Sequence, residues 1–274
     1  VTNLPEEIQF LIDFNVQDVA VALGLDIPSA AGAAILGASE ADFLSHIQEA
    51  AQQVAEVARN LLTMHEAIAA MVQNLKGYQR ILAVGDSITT YRHSYARLLH
   101  HLLPDVEFIN HGYSGYTSNH GLELTHTRFV QLQPQIVFIK YGVNDCKRFG
   151  GADGRTLVSP DEYRGNLRGI IKAFKQYTDA EIVLLSPTPV VSAIVDTEAN
   201  FEATYMTWKN HDIKLCGEIM QELSIEHQAR FVDLFKAFGE VPYEALYLPD
   251  GLHPGSPGHQ EILKTIATEF YERR

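Results

Sequence analysis

Gly85-Asp86-Ser87-Ile88-Thr89 follows the apolar run 80–84 (RILAV) and precedes a stretch of helical character over about 90–102. A serine at such a strand-to-helix turn lies near a helix N-terminus. Free backbone N–H groups and partial positive charge there favour a developing oxyanion. Gly85 permits the tight turn. The same serine could do no more than cap the helix, so this turn alone does not specify chemistry. A second run, 106–109 (VEFI), ends in Asn110-His111-Gly112-Tyr113-Ser114-Gly115-Tyr116-Thr117. Its glycines either serve a turn or present a backbone N–H to a substrate oxygen. A third, 136–140 (IVFIK), ends in Tyr141-Gly142-Val143-Asn144-Asp145. The Asn144 amide there can donate to an oxyanion or close an Asx-turn. Late in the chain, Pro249-Asp250-Gly251-Leu252-His253-Pro254 puts a carboxylate three residues before an imidazole. That spacing lets Asp250 orient His253, and equally describes a surface pair.

The elements that must position these residues are legible from Tyr78 onward. Apolar runs at 80–84, 106–109, 136–140, 181–185 (EIVLL) and 230–234 (RFVDL) alternate with helical stretches. One of these is 159–176, where Ser159-Pro160 gives an N-cap followed by proline at the first helical position. The alternation implies a parallel sheet covered by helices on both faces. Ligands of such sheets bind beyond the carboxyl ends of the strands, where Ser87, Gly115 and Asn144 fall.

Residues 1–76 have a different texture, rich in Ala and without a convincing strand. Short helices are expected around 5–22 and 28–36. Ser39-Glu40-Ala41-Asp42 opens a capping box. Ile47, Ala50, Val54, Val57, Leu61, Met64, Ile68, Met71 and Leu75 then recur in steps of three and four, a heptad seam. One long helix over 39–75 follows, stopped by Gly77. Its seam either packs in a helical cap or forms a coiled coil that makes a homodimer.

Taken singly each motif is ambiguous; their order is not. Ser, Gly and Asn at three successive strand ends, with Asp and His before the last helix, resemble the SGNH (GDSL-type) hydrolases. GDSIT matches that family's first block, Gly115 in S-G-Y-T-S its second, GVND its third with Asn144, and DGLHP its last. The resemblance spans roughly 78–272 and takes in Ser186-Pro187-Thr188-Pro189. Ile88 stands where leucine is common, residues 1–76 have no counterpart, and no G-x-S-x-G elbow occurs. The expected fold is a flavodoxin-like three-layer α/β/α sandwich of about five parallel strands, with a hydrolase domain over 77–274 after an all-helical segment.

The resemblance implies a serine esterase. Ser87 is its nucleophile, His253 its base and Asp250 the group that orients the base. The oxyanion hole comprises the Ser87 and Gly115 N–H groups and the Asn144 side chain. Asp86, His111, Tyr116 and Trp208 are candidates for lining the substrate pocket, with His120 beside them. The stretch 190–212, which holds Tyr205 and Trp208, is either a pocket wall or an ordinary core helix. No metal or organic cofactor is needed, and the histidines, twelve in all, show no zinc-hydrolase spacing. The substrate is expected to be a small or carbohydrate-borne ester of a short acyl or acetyl group. An acyltransferase or a carbohydrate O-deacetylase would use the same site. A helical scaffold with a vestigial hydrolase core is the reading from another class, and four intact blocks speak against it.

Bulk properties narrow the partners. Hydrophobic residues make up 46% and charged residues 20%, ordinary for a globular chain. A formal net charge of −13 leaves no basic excess for a nucleic-acid backbone. No apolar run approaches the ~20 residues a membrane span needs. Cys146 and Cys216 have no metal-type spacing and read as free thiols of a reducing compartment, with a single disulfide as the alternative. The first residues, VTNLPEEIQF, lack the pattern of a signal peptide, although a chain beginning at Val leaves a trimmed leader open. A cytoplasmic protein is expected.

Overall fold

The apolar runs become the sheet. In a computed structural model, which describes residues 4–15, 27–151, 153–239 and 244–272, the strands are β1 (Arg80–Gly85), β2 (Glu107–Gly112), β3 (Ile136–Lys140), β4 (Arg148–Phe149), β5 (Glu181–Leu185), β6 (Met206–Thr207) and β7 (Arg230–Val232). Five of them form one sheet in the order β2-β1-β3-β5-β7, every neighbour parallel. The short β4 and β6 pair antiparallel outside it. All five β3 residues are buried, Lys140 among them, as expected of a central strand covered on both faces.

The helices in chain order are α1 (Glu6–Asp13), α2 (Ser29–Ile35), α3 (Glu40–Met64), α4 (Glu66–Leu75), α5 (Ser87–Thr90), α6 (Tyr95–Leu102), α7 (Ser118–Leu124), α8 (Pro160–Tyr177), α9 (Ser192–Val195), α10 (Ala199–Ala203), α11 (Asn210–His227), α12 (Leu234–Gly239) and α13 (Ser256–Glu272). On one face of the sheet α13 packs on α4 and α6, with α3 against α6. On the other, α8 lies between α7 and α11. The result is a three-layer α/β/α sandwich with a helical N-terminal segment. Local signals act as the sequence suggests: the Ser159 hydroxyl accepts the Glu162 N–H at 3.3 Å and Pro160 opens α8.

Three helix expectations need correction. The single helix over 39–75 is two, because His65 adopts an extended conformation (φ −127°, ψ 107°) between α3 and α4. Just before it, the Thr63 hydroxyl donates to the Arg59 and Asn60 carbonyls, a back-bonding that bends helices. The break lets α4 turn its buried Ile68, Met71, Val72 and Leu75 into the sheet's core. The helix expected over about 90–102 is only α6, from Tyr95, preceded by the separate short α5 that ends at Thr90; Ser94 caps α6 through the Arg97 N–H at 3.3 Å. The first helix ends at Asp13, and Asn15 takes a left-handed conformation (φ 47°); the rest of the expected 5–22 helix lies outside the described residues.

The seam is spent inside the chain rather than as a coiled coil. Val54, Leu61, Ile68, Met71 and Leu75 belong to the same hydrophobic core as the sheet, while Met64, at the break, is 77% exposed. Ile12, Ala33, Leu36 and Phe43 form a second, smaller cluster that ties α1 and α2 to α3. The two cysteines meet in the core as free thiols with their Sγ atoms 3.2 Å apart.

A shared core has a thermodynamic consequence. Leu61→Ala in α3 and Leu82→Ala in β1 should each cost about 2–5 kcal/mol and shift one common unfolding transition. Two separate thermal transitions, with only one moved by Leu61→Ala, would contradict the shared core.

Candidate active site

The turn after β1 is held by close packing. A Cβ on Gly85 would sit 2.6 Å from the Lys140 carbonyl oxygen and closer still to the Thr89 hydroxyl, so only glycine lets this turn nest against β3. Asp86 accepts the Ile88 N–H at 3.0 Å and caps α5. Its side chain is fully buried, so Asp86 is a cap rather than the pocket-lining group the sequence suggested. Ser87 follows at the first position of α5 and is 7% exposed.

His253 arrives from the opposite end of the chain. Its Nε2 lies 3.0 Å from the Ser87 Oγ, and its Nδ1 lies 2.6 Å from the Asp250 Oδ2. The other Asp250 oxygen accepts the Leu252 and His253 backbone N–H groups at 2.9 and 3.0 Å. Burial opposes ionisation of Asp250, but the hydrogen bond from His253 and its attraction outweigh that and hold the carboxyl below its ordinary value. A carboxylate at Asp250 holds an imidazole proton on Nδ1, the tautomer that turns the Nε2 lone pair toward the serine hydroxyl. The loop itself is closed by the Leu248 N–H donating to the His253 carbonyl at 2.8 Å.

Donors for an oxyanion gather on the same side. Gly115 occupies a left-handed conformation (φ 81°) in the loop after β2. Among the described residues, neither its N–H nor that of Ser87 has a protein acceptor. The Asn144 amide donates to the Tyr116 carbonyl at 3.1 Å, which ties the β3 loop to the β2 loop and commits one of its two N–H groups. Next to it, buried Asp145 accepts the Ser118 N–H and hydroxyl and anchors the start of α7. The loops carrying Gly115 and Asn144 are therefore joined twice.

The remaining sequence candidates are placed differently. His111 is 8% exposed, bonded to the Tyr113 hydroxyl at 2.7 Å, and stacked on Phe129. Burial, aided by Arg128, lowers its pKa to about 4, so it is a neutral core histidine. Trp208 is 2% exposed and donates from Nε1 to the Val143 carbonyl at 3.0 Å, supporting the Asn144 loop from beneath. Tyr205, at 73% exposure, points to solvent. Tyr116 stays half-buried beside Gly115, stacked on His120, whose Nδ1 accepts the Thr117 N–H at 3.1 Å.

Two features escaped sequence reasoning. Phe14 packs on the His253 ring with centroids 4.5 Å apart, and Phe10 lies 5.9 Å from it. Nothing in the α1 sequence marks it as a neighbour of a loop more than two hundred residues away. Lys140, the charged end of an otherwise apolar strand, is wholly buried beneath the Ser87 turn. Burial lowers its pKa, and the negative charge of Asp86 opposes that shift. The IVFIK pattern carried that signal. Among the described residues no group of three or more His, Cys, Asp or Glu side chains is arranged to hold a metal, and no helix is long and apolar enough to cross a membrane.

Asp145 gives the site a measurable pH signature. Burial raises its pKa to about 6, against the hydrogen bonds from Ser118; an unfolded Asp titrates near ~3.9. Between these values the folded chain keeps a proton that the unfolded chain releases. The contribution to stability is full below about 4 and is lost as pH rises through about 6. The stability of the wild type relative to Asp145→Asn should therefore fall from pH 4 to pH 7 in thermal melts. A difference that stays level or grows would contradict this reading.

Known proteins place the chain. The model of the GDSL-like lipase/acylhydrolase family matches residues 83–261. A GDSL esterase/lipase of Arabidopsis thaliana is 25% identical over 213 residues, 71% of this chain and 86% of that protein. A second from the same plant is 26% identical over 61% of this chain and 73% of its own length. Among solved structures, a lipase/acylhydrolase from Enterococcus faecalis superposes with a TM-score of 0.57 at 23% identity, covering 71% of this chain and 96% of that one. The acetylxylan esterase Axe2 from Geobacillus stearothermophilus gives 0.53 at 23% identity, with 70% and 93% covered. The chain belongs to the GDSL-like lipase/acylhydrolase family and is a serine-type carboxylic ester hydrolase.

Proposed function

We propose that Ser87, His253 and Asp250 are the catalytic triad of an esterase acting on short acyl, above all acetyl, esters of a small or carbohydrate-borne alcohol. The observation that carries the reading is the unbroken hydrogen-bond chain from Asp250 through His253 to Ser87, 2.6 and then 3.0 Å long. In this reading residues 77–274 hold the chemistry and 1–76 form a cap over it.

The reaction follows from the geometry. As the Ser87 Oγ attacks the ester carbonyl, its proton passes to the His253 Nε2, and Asp250 stabilises the resulting imidazolium. The carbonyl oxygen becomes an oxyanion facing the Ser87 and Gly115 N–H groups and the uncommitted N–H of Asn144. The imidazolium then protonates the leaving alcohol as the C–O bond breaks, giving an acyl-Ser87 ester. His253 next takes a proton from water as it attacks that ester. It returns the proton to Ser87 as the carboxylic acid leaves. The acetylated substrate named for the Geobacillus neighbour supports an acetyl group, and that neighbour's likeness otherwise bears on the fold.

The assay is hydrolysis of p-nitrophenyl acetate, butyrate and octanoate without added metal. The rate should fall as the acyl chain lengthens, and Ser87→Ala should abolish it. Asn144→Ala should lower kcat on the order of 10²–10³-fold, the usual effect of losing one oxyanion donor. Wild-type rates from Ser87→Ala would remove Ser87 from the mechanism, and a preference for octanoate would overturn the short-acyl assignment.

A further inference from the structure

The end of α1 is built into the catalytic loops. The Ser114 hydroxyl donates to the Phe14 carbonyl at 2.6 Å, immediately beside Gly115. The Arg92 backbone N–H donates to the Asp13 carbonyl at 2.8 Å and its Nε to the Ile12 carbonyl at 2.9 Å. The Asn15 amide, 3% exposed, donates to the Thr90 carbonyl and hydroxyl at 2.9 and 3.0 Å. From α3, the His46 Nε2 lies 2.7 Å from the Asp13 carboxylate. In the hydrolase core these partners are Ser114, beside Gly115, and Thr90 and Arg92, at the end of the α5 helix that Ser87 opens and just after it. Such a set of directional bonds fixes position, where apolar contact alone would leave freedom to slide.

What this anchoring positions is aromatic. Phe14, 2% exposed, stacks on Tyr91 with centroids 4.7 Å apart and planes inclined by 21°, and meets the His253 ring at 4.5 Å. Phe10, one helical turn earlier, rests on Phe14 at 4.6 Å and meets His253 edge-on at 5.9 Å and 72°. Unlike Phe14 it is 41% exposed. Phe10 thus keeps part of a large aromatic ring open to solvent while touching the histidine of the site, and such a ring offers a bound ester a flat apolar surface.

The chemistry of acyl transfer says which half of the substrate that partner is. The carbonyl oxygen must face the Ser87, Gly115 and Asn144 donors, whereas the leaving oxygen must reach the His253 Nε2 to be protonated. A solvent-exposed group packed on the His253 ring, as Phe10 is and Phe14 is not, is therefore placed on the side of the alcohol. We propose that Phe10 is a specificity-determining residue of the leaving-group side, its ring receiving an alcohol with a flat apolar face, of the aryl or pyranosyl type. The assignment rests on the esterase reading of the site. It also gives the helical segment, which lies outside the part of the chain matched to the family, a place in substrate choice.

The test varies one half of the ester at a time, with acid release followed by titration at constant pH. Ethyl acetate, phenyl acetate and a monoacetylated methyl pyranoside share an acyl group. The p-nitrophenyl acetate and butyrate pair shares an alcohol. Phe10→Ala should lower kcat/KM roughly tenfold for the ring-bearing alcohols, the scale of one lost aromatic contact, and less than twofold for ethyl acetate. The acetate-to-butyrate ratio should keep its wild-type value, and Phe10→Trp should restore the ring-bearing alcohols. A loss confined to phenyl acetate assigns the face to an aryl alcohol, and one confined to the pyranoside assigns it to a sugar. Equal losses on all three acetates, or a changed acetate-to-butyrate ratio, would overturn the inference while leaving the esterase reading intact. Failure of the wild type to hydrolyse any of these esters would overturn both. Thermal melts of Phe10→Ala, a half-exposed position, check that the fold persists.

Discussion

The contact between the Ser87 hydroxyl and the His253 imidazole joins residues 166 positions apart in sequence, and most of the architecture can be understood as what brings them to 3.0 Å. Ser87 is placed by the first strand of the sheet, and His253 by a loop that enters the last helix. A parallel sheet makes the meeting feasible, because every strand delivers its following loop to the same edge. β1 lies between β2 and β3, so the turn it delivers is flanked by the loops carrying Gly115 and Asn144. The narrow space beside Gly85 admits no side chain, which is how the turn comes to rest against β3. Asp250 completes the contact by accepting from the ring and from two backbone N–H groups of its own loop, so a single carboxylate fixes both tautomer and loop.

Below that contact lies a buried polar layer. Asp86 and Lys140 are both fully buried at the Ser87 turn, and the negative charge of Asp86 opposes the lowering that burial imposes on the Lys140 pKa. Buried charges of this kind are costly unless compensated. Trp208 and Asp145 do positioning work for the Val143 and Ser118 backbones. The residues around the site thus fall into groups that face the reacting atoms and groups that hold those faces still.

Much of this was legible in the sequence. The five apolar runs predicted the strands, and β3 and β5 begin and end where the runs do. The order Ser, Gly, Asn, Asp, His along the chain carried the site, because in a parallel sheet sequence order at strand ends translates into proximity. What was not legible depended on packing between distant segments. His111 and Trp208 looked like pocket residues by position, yet depth in the core decides their roles. The break at His65 combines a local bend, from the Thr63 hydroxyl bonding back to its own helix, with the demand that α4 bury Ile68 and Met71 against the sheet and α13. Distant packing also places Phe14: its contact with His253 is set by hydrogen bonds that tie residues 12–15 to two distant segments, Thr90 with Arg92 and Ser114.

The central claim is that Ser87 is a nucleophile made reactive by His253 and Asp250. The most direct measurement is covalent labelling with a fluorophosphonate, read by intact-protein mass spectrometry and peptide mapping. The account predicts one adduct per chain, located on Ser87, formed at least a hundred times more slowly in His253→Ala. Labelling at another serine, or an undiminished rate at Ser87 without His253, would contradict it.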